Sequence, residues 1–305
     1  MHAMKPELWW QDDSQLAESP LWSAEAAAFF WVDISGRRLW RHDGSAAAAR
    51  SWALPQQIGC IALREGGGLI AALQDGVYAL DLDDGLGLRL LAPAAHGADM
   101  RFNDGRCDRQ GRFWVGSLHL ASGAERQAKG RLARLSAPGE AGPWQPALRE
   151  DLLVANGLGF SPDGGTLYFS DSHASQARVW VCDYDTETGR AGAPRDFITA
   201  LPVGRPDGAA VDAEGGYWIC ANDGAAVLRY TPAGRLDRRI ALPVAKPTMC
   251  AFGGPAMDLL VIASMRPEEG TTTNPLDGAL FALCPGVQGL SETPHPCKEI
   301  KETKP

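Results

Sequence analysis

No run of eighteen apolar residues exists in the sequence, so it offers no candidate for a membrane-crossing helix, and its opening MHAMKPELWW lacks the apolar core of a secretion signal. A protein that stays soluble in the cytoplasm, with no membrane partner, is the expectation. C-x-x-C pairs are absent too. The seven cysteines (60, 107, 182, 220, 250, 284, 297) form an odd set without short His/Cys spacing, which argues against a cysteine-ligated zinc and for reduced thiols acting as small core residues. Blocks of one charge sign are missing, and the formal net charge of −8 disfavours nucleic acid as a main partner. There is no G-x-S-x-G elbow, so a serine-esterase route to ester cleavage has little support. Long helices are not expected either, because 35 glycines and 21 prolines punctuate the 305 residues.

What the sequence has is short strands. FFWVDI, GLIAAL, RFWVGS, TLYFSDS, GYWICA and LLVIAS are apolar or aromatic runs bounded by Gly, Asp and Pro. Each is too short for an ordinary helix and rich in residues that suit a pleated surface. After most of them a second segment runs to a new turn, as in RRLWRHD, GVYALDLDDG and ARVWVCDYDTETG. Six units of strands result, with no alternation of strand and helix.

Three units share one phase. In NDGRCDRQGRFW, NGLGFSPDGGTLYF and DGAAVDAEGGYW a glycine (Gly111, Gly164, Gly215) follows eight residues after Asn103, Asn156 and Asp207. Five residues after those three stand Asp108, Ser161 and Asp212, all turn-forming types. Extended along the chain, the phase gives Glu18, Gly59, Asn103, Asn156, Asp207 and Thr248, about 46 residues apart on average. Four-stranded repeats of that length are propeller blades, so the expected fold is an all-β, six-bladed β-propeller, a single domain over residues 1–290. Residues 291–305 show neither strand nor helix pattern and read as a mobile tail. ELWWQDD should close the circle by pairing with the last blade near GALFALC, which removes an exposed sheet edge.

In a propeller, equivalent residues stand at one height around a central channel. Glu18, Asn103, Asn156 and Asp207 should therefore converge, and four oxygen-bearing side chains in one dry channel require compensation. Two carboxylates and two amides suit a hard divalent cation such as Ca²⁺, Mg²⁺ or Mn²⁺, and Glu18 with Asp207 supplies a formal −2 to match it. Three or four protein ligands leave coordination positions open, as metal-assisted catalysis needs.

ESPLW, RFNDGRCDRQGRFWVGS, NGLGFSPDGGTLYFSDS, RPDGAAVDAEGGYWICA and KPTMCAFGGPAMDLLVIAS resemble the signature stretches of the regucalcin/gluconolactonase family, six-bladed propellers that include sugar lactonases. The likeness spans roughly residues 7 to 290. It implies Glu18, Asn156 and Asp207 as metal ligands, with Asp207 also the proton acceptor. It implies Arg101 and Asn103 as substrate-binding residues, with Asn103 near the metal or a water on it. Segment 117–130 is expected to form a loop over the site, where Glu125 is a candidate substrate contact and His119 stands on a similar footing. Asp104 and Gly105 are assigned to turn geometry. The implied activity is hydrolysis of a sugar lactone, a small-molecule partner, with one divalent ion (Ca²⁺, Mn²⁺, Mg²⁺, Zn²⁺ or Fe²⁺) polarising the carbonyl. The alternatives are a Ca²⁺-binding regulatory protein without lactonase activity, a phosphotriesterase resembling diisopropylfluorophosphatase, and an interaction platform. Oligomeric state is not legible.

Overall fold

The computed structural model describes residues 5–45, 48–82, 85–137, 139–267 and 274–297. Within them the chain forms six antiparallel sheets of four or five strands. The first strand of each sheet is β2 (Ala17–Ser23), β6 (Ile58–Leu63), β10 (Met100–Cys107), β14 (Ala155–Phe160), β19 (Arg205–Val211) and β23 (Pro247–Gly253). Each of these touches the first strand of both neighbouring sheets, and β23 returns to β2, so the six surround one axis. The expected propeller is what the chain forms. The circle is closed as expected: β1 (Glu7–Trp10) pairs antiparallel with β25 (Leu280–Leu283), Glu7 lying opposite Ala282.

Six apolar clusters hold the ring together, each lying between two adjacent sheets. One packs Trp218, Cys220 and Val227 of the fifth sheet against Phe252, Ile262 and Phe281 of the sixth. Another joins Phe29 and Trp31 of the first sheet to Val261 and Leu280 of the sixth, sealing the closure. Trp31 and Trp218 are fully buried, and truncating such a side chain costs about 3–5 kcal/mol. Five of the seven cysteines are buried as small core residues, while Cys284 is exposed and Cys297 half-buried.

The shared phase is a shared backbone geometry. Gly111, Gly164 and Gly215 all adopt left-handed φ, between 75° and 82°, at the turn between first and second strands. The side chains five residues on from the ring cap those turns: Asp108 Oδ1 accepts from Gln110 and Arg112 N–H, and Asp212 Oδ1 accepts from Glu214 and Gly216 N–H. The same irregularity recurs in every first strand. Pairing with the second strand shifts register between Glu18 and Leu21, Ile58 and Cys60, Phe102 and Gly105, Asn156 and Gly159, Pro206 and Ala209, and Pro247 and Cys250. A bulge leaves its extra residue unpaired and re-aims the side chains beside it. Repeated six times at one level, it builds the ring of inward positions.

Residues 291–297, expected to begin a mobile tail, are packed against the ring. His295 lies against Arg64 in a parallel bridge, accepts from Glu65 N–H at 2.9 Å, and its ring Nδ1 lies 2.9 Å from Gly111 O. Arg106 Nη1 pairs with Glu292 at 2.7 Å. Backbone hydrogen bonds and one half-buried ion pair are what the absence of an apolar pattern concealed. Residues 298–305 lie outside the described residues.

Candidate active site

The expected ring residues are buried on the first strands of their sheets: Glu18 on β2, Asn103 on β10, Asn156 on β14 and Asp207 on β19. Gly59 and Thr248 occupy the same level without presenting oxygen to it. A Cβ on Gly59 would stand 2.5 Å from Phe102 O, so this residue lets two blades approach, and Thr248 Oγ1 donates to Ala17 O at 2.5 Å. The polar side therefore comprises blades one, three, four and five. Backbone strain marks it, since Ser19, next to Glu18, holds φ at 50° without being glycine.

Glu18 and Asp207 are the electrostatic centre. Burial, followed by repulsion from Asp207 and Asp104, pushes the Glu18 carboxyl well above its ordinary range; only Ser19 N–H, at 3.0 Å from Oε2, and the charge of Arg101 oppose this. Burial likewise raises Asp207 to about 7, against hydrogen bonds from Asn222 and Asn156 and the charge of Arg205. Whichever of the two ionises first raises the other, so they titrate as a pair. Asn156 Nδ2 donates to Asp207 Oδ1, and Asn222 Nδ2 donates to Oδ2 at 2.6 Å.

This donor chemistry fits a hard divalent cation. Among the described residues no group of three His, Cys, Asp or Glu is gathered, so imidazole and thiolate sites are not on offer. Two buried carboxylates that repel each other, an Asp104 Oδ1 without a hydrogen bond, and nearby amides are what remain. Glu18 and Asp207 would contribute carboxylate oxygens. Asn156 Oδ1 now accepts from Gly157 N–H at 3.2 Å, so coordination would require the amide to turn that oxygen toward the carboxylates.

Asn103 is committed elsewhere. Its Oδ1 accepts from Arg101 Nη1 at 2.7 Å and its Nδ2 donates to Ala155 O at 2.9 Å, so it braces Arg101 against the fourth blade. Arg101 Nη1 also donates to Phe102 O at 2.8 Å. Burial, then the charge of Arg126, lowers the guanidinium to about 10, while Glu18 and Asp207 act the other way. Arg101 thus feels the acidic pair and a second cation at once.

Segment 117–130 lies at the same end of the blades, between β11 (Phe113–His119) and β12 (Gly130–Arg134). Its one-turn 3₁₀ helix, Gly123–Glu125, leaves Glu125 exposed. The next residue, Arg126, is half-buried with a fully buried Nη1. His119 is an anchor for the segment, its Nδ1 accepting from Gln127 N–H at 3.3 Å and its Nε2 lying 3.5 Å from Asp99.

Three site residues escaped the sequence reading. Asp104, assigned to a turn, is a buried strand residue whose Oδ2 accepts from Leu158 N–H at 2.7 Å. Gly105 is also in the strand, where a Cβ would meet Cys60 Sγ at 2.6 Å. The bulge placed both inside while the string NDG advertised a turn. Asn222 and Arg205 were the other two. Asn222 had a signal, because the second strands β3 (Ala28–Asp33), β11, β15 (Thr166–Asp171), β20 (Tyr217–Asn222) and β24 (Leu259–Ser264) end on polar residues. Asp33 and Asp171 use their carboxylates to hold backbone N–H groups of the preceding connection, whereas Asn222 turns to Asp207.

Residues 16–266 match the family described as the SMP-30/Gluconolactonase/LRE-like region. A 6-deoxy-6-sulfogluconolactonase of Pseudomonas putida is 39% identical over 282 residues, covering 92% of this chain and 94% of that one. An L-arabinolactonase of Azospirillum brasilense is 34% identical over 279 residues, 87% of each. The crystal structure of a calcium-binding protein, regucalcin, from Agrobacterium tumefaciens superimposes with a TM-score of 0.86 at 27% identity, over 96% of this chain and 98% of that one. Among the described residues no helix is long and apolar enough to cross a membrane. A ring of bulged strands with two carboxylates at its centre, in a chain matched over nearly its whole length, belongs to the SMP-30/gluconolactonase family.

Proposed function

We propose that the protein is a divalent-metal-dependent hydrolase that opens a sugar lactone to its aldonic acid. The carrying observation is the pair of buried, mutually repelling carboxylates, Glu18 and Asp207, with Asn156 and Asn222 hydrogen-bonded to Asp207 and the charge of Arg101 acting on both. Relatives named as lactonases support the reaction class. Glu18, Asn156 and Asp207 would hold the ion. When bound, it would supply Lewis-acid polarisation of the ester carbonyl and acidify water.

The protein's own groups supply the rest. Asp207, held by the Asn222 amide at its Oδ2, accepts the proton of the attacking water, whose acidity a bound ion would raise. The water oxygen bonds to the carbonyl carbon, the ring C–O bond breaks, and the leaving alkoxide takes that proton, restoring the carboxylate. Arg101, braced by Asn103, grips substrate oxygens with its fixed fork of donors. We read the ring as one domain, since β1 and β25 come from opposite ends of the described chain to complete one sheet.

A pH-indicator assay on γ- and δ-aldonolactones tests this, using protein stripped of metal and then supplied with Ca²⁺, Mg²⁺, Mn²⁺, Zn²⁺ or Fe²⁺. Turnover should vanish on stripping and return with at least one ion. Full activity in the stripped protein refutes the metal role, and silence on every lactone with every ion refutes the hydrolase.

A further inference from the structure

Segment 117–130 brings a second guanidinium, Arg126, close enough to Arg101 for the two to repel. Arg126 sits on segment 117–130, which is pinned on both sides: Arg126 N–H donates to Gly123 O at 3.3 Å, Gln127 N–H reaches His119, and Lys129 Nζ lies 3.2 Å from Asp99. Its Nη1 is buried and makes no hydrogen bond, and neither Arg126 nor Arg101 forms an ion pair with a carboxylate among the described residues. A buried guanidinium nitrogen left unpaired is costly unless a ligand completes it.

A third guanidinium stands beside it. Arg205 opens β19, two residues before Asp207, and is held by Asp223 at 2.8 Å, Ser172 O at 3.1 Å and Asn222 Oδ1 at 3.1 Å. Those bonds engage three of its five N–H groups. The carboxylate nearest in effect to Arg126, Asp171, is already spent on the N–H groups of Leu153, Val154 and His173. Burial and the charges of neighbouring guanidiniums act together on Arg101 and on Arg126. Each guanidinium is destabilised by the next, Arg101 by Arg126 and Arg126 by Arg205. That repulsion is what a bound anion would relieve.

We propose that Arg126, assisted by Arg101 and Arg205, binds a tetrahedral oxyanion, a sulfonate or a phosphate, carried by the lactone on a carbon remote from its carbonyl. The assignment rests on the lactonase reading for the lactone and on the arginines for the anion. Arg126 is then a specificity residue: its planar donor fork accepts two oxygens of the group and rejects a neutral hydroxymethyl by leaving its own buried nitrogen unpaired.

Two measurements test it. The ratio of kcat/KM for a δ-lactone bearing a terminal sulfonate or phosphate to that for the unsubstituted lactone should exceed about tenfold in the native enzyme. It should fall toward one in Arg126→Gln and stay intermediate in Arg126→Lys, which keeps the charge without the fork; the sulfonate and phosphate arms separate the two sources. Calorimetric titration gives a readout independent of turnover: 6-phosphogluconate should bind at least about tenfold more tightly than gluconate, with the gap closing in Arg126→Gln. A native ratio near one or below, or equal binding of the two acids, overturns the anion subsite. Failure to hydrolyse any lactone while 6-phosphogluconate still binds preferentially overturns the hydrolase and leaves the subsite standing.

Discussion

The buried acidic pair should make the metal-free protein lose stability as pH rises, and Asp207→Asn should remove part of that loss. In the fold Asp207 is raised from 3.8 to about 7, chiefly by burial. A carboxyl whose folded pKa exceeds its unfolded one binds more protons in the native state between the two values. Its unfavourable contribution therefore grows as pH climbs from about 4 to about 7 and is constant above. Three units correspond to at most about 4 kcal/mol, of which about 2.5 kcal/mol develops between pH 5 and pH 8. Asparagine cannot accept from both Asn156 and Asn222 as the carboxylate does, so the variant carries a cost of about 1–3 kcal/mol that does not vary with pH. The informative quantity is thus the change with pH in the difference between the two proteins. Urea unfolding in chelator at pH 5 and pH 8 should show the variant gaining on the native protein by about 2.5 kcal/mol across that interval. A constant difference would refute the claim that Asp207 is a buried, proton-sharing carboxylate. A divalent ion should abolish the pH effect in the native protein, because it favours the ionised form of both acids.

Other outcomes follow from the same contacts. Glu18→Gln should weaken divalent-ion affinity by about a hundredfold, read by calorimetry, while the circular dichroism of the propeller is retained. Asn103→Ala should remove the brace between Arg101 and Ala155 and raise KM about tenfold with a smaller change in kcat; an unchanged KM would free Arg101 from that support. Ending the chain at residue 290 should leave the largely buried Arg106 without Glu292 and cost about 2–3 kcal/mol in urea unfolding.

How much of this was written in the sequence depends on what each feature repeats. Strand, turn and ring phase recur in every blade, and Gly111, Gly164 and Gly215 with their Asp or Ser caps are needed by the backbone itself, so a single chain displays them several times. The converging Glu18, Asn103, Asn156 and Asp207 came from the same periodicity. Asp104 was misread because a bulge and a turn use the same residues: NDG satisfies either, and only register against β11 decides between them. Arg126 and the packed segment 291–297 have no counterpart in other blades. Their placement comes from tertiary contacts, His119 to Gln127 in one case and Arg106 to Glu292 in the other, for which no local pattern exists.

The unequal division of the ring also has a physical reason. Six equivalent inward positions filled with carboxylates would repel without limit, whereas six filled with apolar groups would leave nothing to bind. Gly59 uses its position for close approach between blades and Thr248 uses its hydroxyl to tie the sixth blade to the first, on either side of Glu18. Rigidity is thereby placed where the ring closes. The strained Ser19 and the mutually repelling Glu18 and Asp207 lie within that frame and are held by it. Because the apolar clusters between all six pairs of sheets carry the fold, the site can keep two acids in an unfavourable state that only a cation relieves.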